Sequence, residues 1–314
     1  MPRRQPCHAN RSSFPLRGRW PGTRGMLTHH LDEGIASSIA SIADGASILD
    51  LGAGAGMYGA FFDSRRRAGS PAPREWVGLD GSPDVETYTR THGPPGALTR
   101  ELDICRGVRA ESAGVNVDID SSPSTRTEPA GSPLVGYDWV MSLEVGEHLP
   151  SECLGRYLAL IHAANSRGVL LSWAPPGQDG HCHISTRSEW VVRRAFALLG
   201  YQIDDARTQA ARRRAERVWF RKNFMVFARR TPRAHQRGRA WACAGHFSFR
   251  PSALDVAAAC LVRAEATYCN CTVTGRGGGV REGQLSARDG QNRPSAGPSK
   301  ASIPRQKSRK KTSM

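Results

Sequence analysis

Cysteine and long apolar stretches are both scarce in this chain, and each scarcity excludes a class of protein. The 314 residues include 8 cysteines, scattered and mostly unpaired in spacing, so no disulfide framework is predicted and a reducing compartment fits best. No uninterrupted run of about 18 apolar residues exists, which excludes a conventional membrane-spanning helix. The sequence therefore predicts a soluble protein with no membrane span.

Acidic residues are outnumbered by basic ones, but only at the two ends of the chain. The formal net charge is +16. Residues 1–25 carry six Arg and no acid, residues 26–230 carry 23 basic residues against 24 acids, and residues 231–314 carry fifteen against four. The near-neutral central part argues against a nucleic-acid-binding surface there, whereas the basic tails would contact polyanions without specificity.

The first 25 residues have the composition of an organelle transit peptide, with many Arg, some Ser and no acids. Pro2, Pro6, Pro15 and Pro21 interrupt the amphipathic helix that a mitochondrial presequence needs. We therefore predict a basic, disordered leader on a cytoplasmic protein. Import into a mitochondrion or plastid is the alternative.

Apolar runs alternate with segments of helical periodicity through the central part of the chain. Residues 31–42 place apolar side chains at helical spacing, and Thr186 to Glu189 has the form of a capping box before another helix. This alternation predicts an α/β domain, with a mostly parallel sheet covered by helices on both faces. We predict strands at residues 47–51, 76–80, 98–103, 137–143, 168–173 and 219–228.

Composition also sets the predicted domain boundaries. The alternating pattern occupies residues 26–230, interrupted over 105–136 by Gly, Ser, Pro, Thr and Asp, which indicate an inserted surface loop. Residues 231–314 are basic and of low complexity, so we predict a disordered tail in which only residues 253–266 suggest a short helix.

A glycine-rich turn follows the first predicted strand. Gly52, Gly54 and Gly56 stand between Asp50 and the next helix, where glycine lets the backbone approach a ligand and present free amides to it. Asp80 ends the second predicted strand, where a carboxylate can accept hydrogen bonds from both ribose hydroxyls of a nucleoside. Together these residues predict a nucleoside-binding cleft at the carboxyl ends of the strands.

An acidic residue followed by x-G-x-G-x-G resembles the first motif of the class I S-adenosyl-L-methionine (SAM)-dependent methyltransferases. The resemblance implies a Rossmann-like fold with a seven-stranded sheet and SAM as cofactor. It implies that Asp50 meets the methionine amino group and that the three loop glycines line the methionine portion. A nicotinamide-dependent oxidoreductase is the alternative from the residues alone, but its G-x-G-x-x-G spacing is contradicted by Met57.

Further acids extend the resemblance. An acid after the third strand approaches the adenine amino group in this family, and Asp103 occupies that place. Glu144, Glu147 and His148 form an E-x-x-E-H segment that is similar to one in ubiquinone-type and other small-molecule methyltransferases, which places Glu144 toward the cofactor cleft. These three groups could also gather a divalent metal, but we predict no metal, because the motif occurs in many members without one.

The segment after the fifth predicted strand is where the resemblance places contacts to the methyl acceptor. His183 is the preferred general base and His181 the second candidate, because imidazole titrates near neutral pH. Alternatively, both histidines only satisfy backbone groups or water. We expect transfer of a methyl group to an unidentified small-molecule acceptor. The further alternative is an inactive SAM-binding protein that acts through a partner.

Overall fold

The computed structural model describes residues 31–105, 134, 136–180, 182–230, 240–242, 253–263 and 272–274. The predicted leader, nearly all of the inserted loop, most of the basic tail and His181 lie outside these residues. Compartment and polyanion contact therefore stay predictions. Within the described part, no helix is long and apolar enough to cross a membrane.

Seven strands form one sheet in the order β3-β2-β1-β4-β5-β7-β6. Only β7 runs against its neighbours, and the other adjacent pairs are parallel. The predicted fold, a Rossmann-like and mostly parallel seven-stranded sheet, is confirmed. The strands are β1 (Ser47–Leu51), β2 (Glu75–Asp80), β3 (Thr99–Glu101), β4 (Tyr137–Ser142), β5 (Asn165–Ser172), β6 (Tyr201–Ile203) and β7 (Phe224–Arg229).

Helices cover both faces of this sheet. Strand residues alternate between the two faces, so that Leu49 and Val140 belong to one apolar core and Ile48 and Met141 to the other. The helices are α1 (Glu33–Ile42), α2 (Met57–Arg67), α3 (Val85–His92), α4 (Leu154–Ala164), α5 (Glu189–Leu198), α6 (Asp205–Arg214), α7 (Phe220–Asn223) and α8 (Ala253–Arg263). Apolar side chains of α4, α5 and α8 pack on one face of the sheet. Those of α1, α2, α6 and α7 pack on the other face.

Asp32 begins the first helix and also fixes it to a distant part of the chain. One carboxylate oxygen accepts the Ile35 amide at 2.9 Å, the usual role of an N-cap. The other oxygen accepts the amides of Glu216 at 2.9 Å and Arg217 at 2.7 Å. A single buried carboxylate thus links the start of α1 to the segment that follows α6.

The ordered core reaches past residue 230. Helix α8 packs on α4 and α5, with Val256 and Leu261 fully buried. The short helix suggested within residues 253–266 is therefore part of the domain core. Two further short strands, β8 (Ala240–Ala242) and β9 (Thr272–Thr274), form an antiparallel pair.

Disulfides correct one expectation from the sequence. Cys105 and Cys153, 48 residues apart, form a disulfide that joins the end of the β3 segment to the start of α4. Cys182 and Cys260 are also disulfide-bonded. The prediction of no disulfide framework is thus wrong for the four cysteines that the structure describes, because folding, rather than spacing, brings the thiols together.

Two local predictions also differ from the structure. Helix α5 is capped by Ser188, whose hydroxyl accepts the Val191 amide, so Thr186 is not the capping residue. The strand predicted over residues 219–228 begins only at Phe224, because its first residues form the short helix α7. That helix turn matters for the site described below, since it ends in Asn223.

Candidate active site

The glycine turn lies between β1 and α2, at the carboxyl edge of the sheet. Gly52, Gly54 and Gly56 have φ angles of 84°, 53° and 73°, which are left-handed conformations that favour glycine. A Cβ at Gly56 would lie 2.0 Å from the Ala97 carbonyl oxygen, and one at Gly52 would lie 2.2 Å from Cγ2 of Val145. Conformation and space therefore both require glycine in this turn.

Asp80 holds the glycine turn in place. One carboxylate oxygen accepts the Gly54 amide at 2.9 Å, and the other accepts the Ser82 amide at 2.8 Å. The Leu79 carbonyl, one residue earlier, accepts the amides of Gly52 at 2.7 Å and Ala53 at 3.0 Å. The structure thus brings together the two elements that the sequence analysis singled out separately. Each Asp80 oxygen keeps a second lone pair with which it can accept a ligand hydroxyl.

Asp50 lies under the turn, near the end of β1. It is buried, and Nε1 of Trp76 donates a hydrogen bond to its carboxylate at 3.2 Å. Burial raises the pKa of Asp50 well above its ordinary value; the hydrogen bond from Trp76 opposes the shift, and the charge of Asp80 adds to it. Sequence reasoning missed Trp76, because its indole faces a residue on the neighbouring strand.

Asp103 lies at the same edge, two residues beyond β3. Its position is fixed by the Leu102 amide, which donates to the Asp80 carbonyl at 2.8 Å. One oxygen of the Asp103 carboxylate accepts the Cys105 amide at 3.0 Å. We name Asp50, residues 52–56, Asp80 and Asp103 the glycine-loop side of the site.

Glu144 stands on the other half of the edge, just beyond β4. Its φ is 55°, and its amide donates to the Ser172 hydroxyl at 2.8 Å. The carboxylate accepts Nε2 of Gln178 at 2.8 Å and Nδ2 of Asn223 at 2.7 Å. Two neutral amides therefore hold this carboxylate.

Gln178 and Asn223 are site residues that sequence reasoning missed. Gln178 closes a turn after β5, in which its amide donates to the Pro175 carbonyl at 3.1 Å and Gly177 has a φ of 86°. Asn223 immediately precedes β7, and because β7 runs antiparallel to β5, its beginning lies beside the end of β5, with Phe224 opposite Ser172. No local sequence pattern indicates that Asn223 contacts Glu144 and Gln178.

Glu147, His148 and His183 come together beside this network. Their possible ligand atoms all lie within 4.8 Å of one another, and the two imidazole rings are 4.9 Å apart between centroids. Glu147 is fully buried, and burial, with the charge of Glu144 as the second cause, raises the pKa of its carboxyl well above the ordinary range. We name Glu144, Glu147, His148, Gln178, His183 and Asn223 the histidine side.

The histidine side differs from the grouping predicted from the sequence. The E-x-x-E-H segment suggested Glu144, Glu147 and His148 as one cluster. In the structure Glu144 accepts the amides of Gln178 and Asn223 while it stays close to Glu147, and His183 joins Glu147 and His148. The two sides meet where Val145 covers Gly52. The site thus joins a backbone cradle to a cluster that can bind protons or cations.

Comparisons with known proteins add little to this geometry. No protein-family model matches the chain, and no curated protein matches it either. Among solved structures it is similar to the Synechocystis PCC 6803 magnesium protoporphyrin IX methyltransferase with bound S-adenosylhomocysteine (SAH), at 15% identity over 62% of this chain and 81% of that one, TM-score 0.39. A TehB-like SAM-dependent methyltransferase from Corynebacterium glutamicum shares 17% identity over 65% and 91%, TM-score 0.41. At TM-scores this low neither similarity supports an argument, and the fold assignment rests on strand order and direction.

Proposed function

We propose that this chain is a SAM-dependent methyltransferase with a small-molecule acceptor. The observation that carries the proposal is the hydrogen bond between the Asp80 carboxylate and the Gly54 amide. It holds an acidic strand end over a glycine turn at the carboxyl edge of a parallel sheet, which is where folds of this type bind nucleoside ligands. The x-G-x-G-x-G spacing after Asp50 selects SAM over a dinucleotide.

The glycine-loop side provides the donor pocket. Asp80 accepts the ribose hydroxyls of SAM, and Asp103 faces the adenine amino group. The left-handed glycines at 52, 54 and 56 allow the methionine portion to approach the backbone closely. Asp50 supports this portion from beneath, so that the positively charged donor lies among carboxylates and backbone amides that the fold already holds in position.

The histidine side provides the acceptor site. Nδ1 of His183 lies 3.1 Å from the Gln178 carbonyl oxygen, and because a carbonyl only accepts, Nδ1 carries the proton. Nε2 therefore keeps a lone pair and can act as general base. The acceptor's proton passes to Nε2, the acceptor atom forms a bond to the methyl carbon as the carbon–sulfur bond breaks, and SAH leaves. His181 remains the second proposed base.

Calorimetric titration of the full chain tests the proposal. We expect SAM and SAH to bind with one-to-one stoichiometry and NAD to give no heat. Binding of NAD without SAM would overturn the assignment in favour of an oxidoreductase. Binding of SAM with no labelled methyl transfer to any of a panel of phenols, amines, thiols and carboxylates would instead indicate a donor-binding protein that acts through a partner.

A further inference from the structure

Glu147 is a buried carboxylate that lacks hydrogen-bond donors. Its side chain is fully buried, and neither carboxylate oxygen has a hydrogen-bond partner in the described part of the chain. No arginine or lysine among the described residues forms an ion pair with it. A carboxylate in such a place is costly unless a cation compensates it.

The two histidines beside Glu147 are held in the tautomer that binds metals. Nδ1 of His148 lies 3.3 Å from the Cys182 carbonyl oxygen, and Nδ1 of His183 lies 3.1 Å from that of Gln178. A carbonyl only accepts, so each Nδ1 donates, and these hydrogen bonds fix the orientation of both rings beside Glu147. A backbone carbonyl that orients an imidazole in this way is the usual outer partner of a metal-binding histidine.

The loop that carries His183 is fixed against Glu147 by the chain itself. The Ser185 amide donates to the Glu147 carbonyl at 2.8 Å, and Nε1 of Trp173 donates to the Ser185 carbonyl at 2.8 Å. Gly180 makes room for the His183 ring, since a Cβ there would lie 2.0 Å from Nε2. The cluster is thus preformed by contacts outside its three side chains.

The spacing of the three groups fits a metal after a small contraction. Their ligand atoms lie within 4.8 Å of one another. Tetrahedral ligands at the usual zinc distances of about 2.0–2.2 Å are separated by about 3.4 Å. Closing the difference takes a contraction of roughly 1 Å.

We propose that Glu147, His148 and His183 bind one divalent transition-metal ion of the Zn²⁺ type. Two imidazoles and one carboxylate form the three-ligand set of catalytic zinc sites, which leaves a coordination position open. Glu144 is outside the set, because the ligand atoms that lie together belong to Glu147, His148 and His183, while its own carboxylate accepts the amides of Gln178 and Asn223.

The open position could hold an oxygen of the methyl acceptor. A divalent ion lowers the pKa of a bound hydroxyl, so the acceptor would reach the methyl group already deprotonated. His183 would then hold the ion, and the acceptor's proton would pass to solvent. This consequence depends on the proposed methyltransferase function, whereas the binding of the ion itself does not.

Titration of the metal-stripped full chain tests the metal site directly. Calorimetry with Zn²⁺ alone, and visible absorption with Co²⁺ alone, should show one high-affinity ion per chain and the intense bands of a four-coordinate site. We expect Glu147→Gln, His148→Ala and His183→Ala each to weaken binding by more than about tenfold. The matched control is His92→Ala on the exposed end of α3, which should bind the ion as the unmodified chain does.

Gly180→Ala is a second, independent variant that keeps all three ligands. Its Cβ displaces the His183 ring, so we expect the same loss of Zn²⁺ affinity with an unchanged circular dichroism spectrum. Unaltered Zn²⁺ binding in Gly180→Ala and His148→Ala, or no high-affinity ion in the unmodified chain, would overturn the proposal. Calorimetry with SAM in parallel separates the two claims, because a chain that binds SAM without Zn²⁺ refutes only the metal site.

Discussion

The two sides of the candidate site satisfy their polar groups in opposite ways. On the glycine-loop side, both oxygens of Asp80 already accept backbone amides, and Asp50 accepts the Trp76 indole. On the histidine side, both oxygens of Glu147 are buried without a partner. The Asp50 and Asp80 carboxylates are thus held before a ligand arrives, whereas the Glu147 carboxylate is completed by a proton, a cation or an acceptor. We therefore expect substitutions on the first side to change donor binding, and those on the second to change turnover and ion binding.

The largest expected effect is that of His183→Ala on turnover. Removal of the proposed base, or of the ligand that holds the ion, should lower kcat by about 10²- to 10⁴-fold while the Kd for SAM stays unchanged. SAH release with an acceptor found by screening measures kcat, and calorimetry measures Kd. His92→Ala serves again as the control. An equal loss of SAM affinity would remove the distinction between the two sides.

Asp80→Asn should produce the next largest effect, and on the opposite quantity. The change removes one charged acceptor and puts an amide group where the Gly54 or Ser82 amide donates, so we expect SAM affinity to fall by about tenfold to a hundredfold. Asp84→Asn is the matched control, because Asp84 is exposed and its φ of 63° is well tolerated by asparagine. Equal affinities of the two variants for SAM would show that Asp80 does not contact the donor.

Gly52→Ala tests the contact between the two sides. The new Cβ lies 2.2 Å from Cγ2 of Val145, and the φ of 84° costs a further 1–2 kcal/mol, roughly, for a residue with a Cβ. We expect a loss of about 2–3 kcal/mol in the free energy of unfolding, measured by denaturant titration. Adding Val145→Ala should recover the part due to the clash and leave the conformational part. If Val145→Ala recovers none of the lost stability, the glycine-loop side and the histidine side are not in close contact at Gly52 and Val145.

The smallest expected effect concerns the pH dependence of stability. The Glu147 carboxyl has a pKa raised above the ordinary 4.5 in the folded chain, so the unfolded chain binds fewer protons above that pH. Stability is therefore lost as pH rises from near 4.5 through the folded pKa. Glu147→Gln removes this loss, and we expect its Tm with a chelator present to exceed that of the unmodified chain at neutral pH by a few degrees, about 2–4 °C per kcal/mol. Identical Tm profiles against pH would contradict the account.

The sequence predicted the glycine-loop side because its information is local. Asp50, the three glycines and Asp80 follow directly from two strand ends, and parallel strands bring those ends to one edge. The histidine side depends on contacts between remote segments. Asn223 reaches Glu144 only because β7 is reversed, and His183 reaches Glu147 through a loop fixed by Trp173 and Ser185.

The other sequence predictions that the structure corrects failed for similar physical reasons. Ser188 rather than Thr186 caps α5, because the geometry at the helix start, rather than the form of the motif, decides which hydroxyl meets an orphan amide. The first residues of the predicted final strand form α7, although their composition suited a strand. Short apolar runs alone do not distinguish a helix from a strand. The disulfide of Cys105 with Cys153 closes a long loop that spacing cannot reveal.

Hydrogen–deuterium exchange of the full chain, with and without SAH, tests whether SAM lies on the glycine turn beside Asp80. We expect SAH to slow exchange of the amides at residues 52–56 and 80–82, while the amides of α6 exchange as before. Asp80→Asn should need more SAH for the same protection. Protection confined to other segments, with unchanged exchange in the glycine turn, would contradict the account.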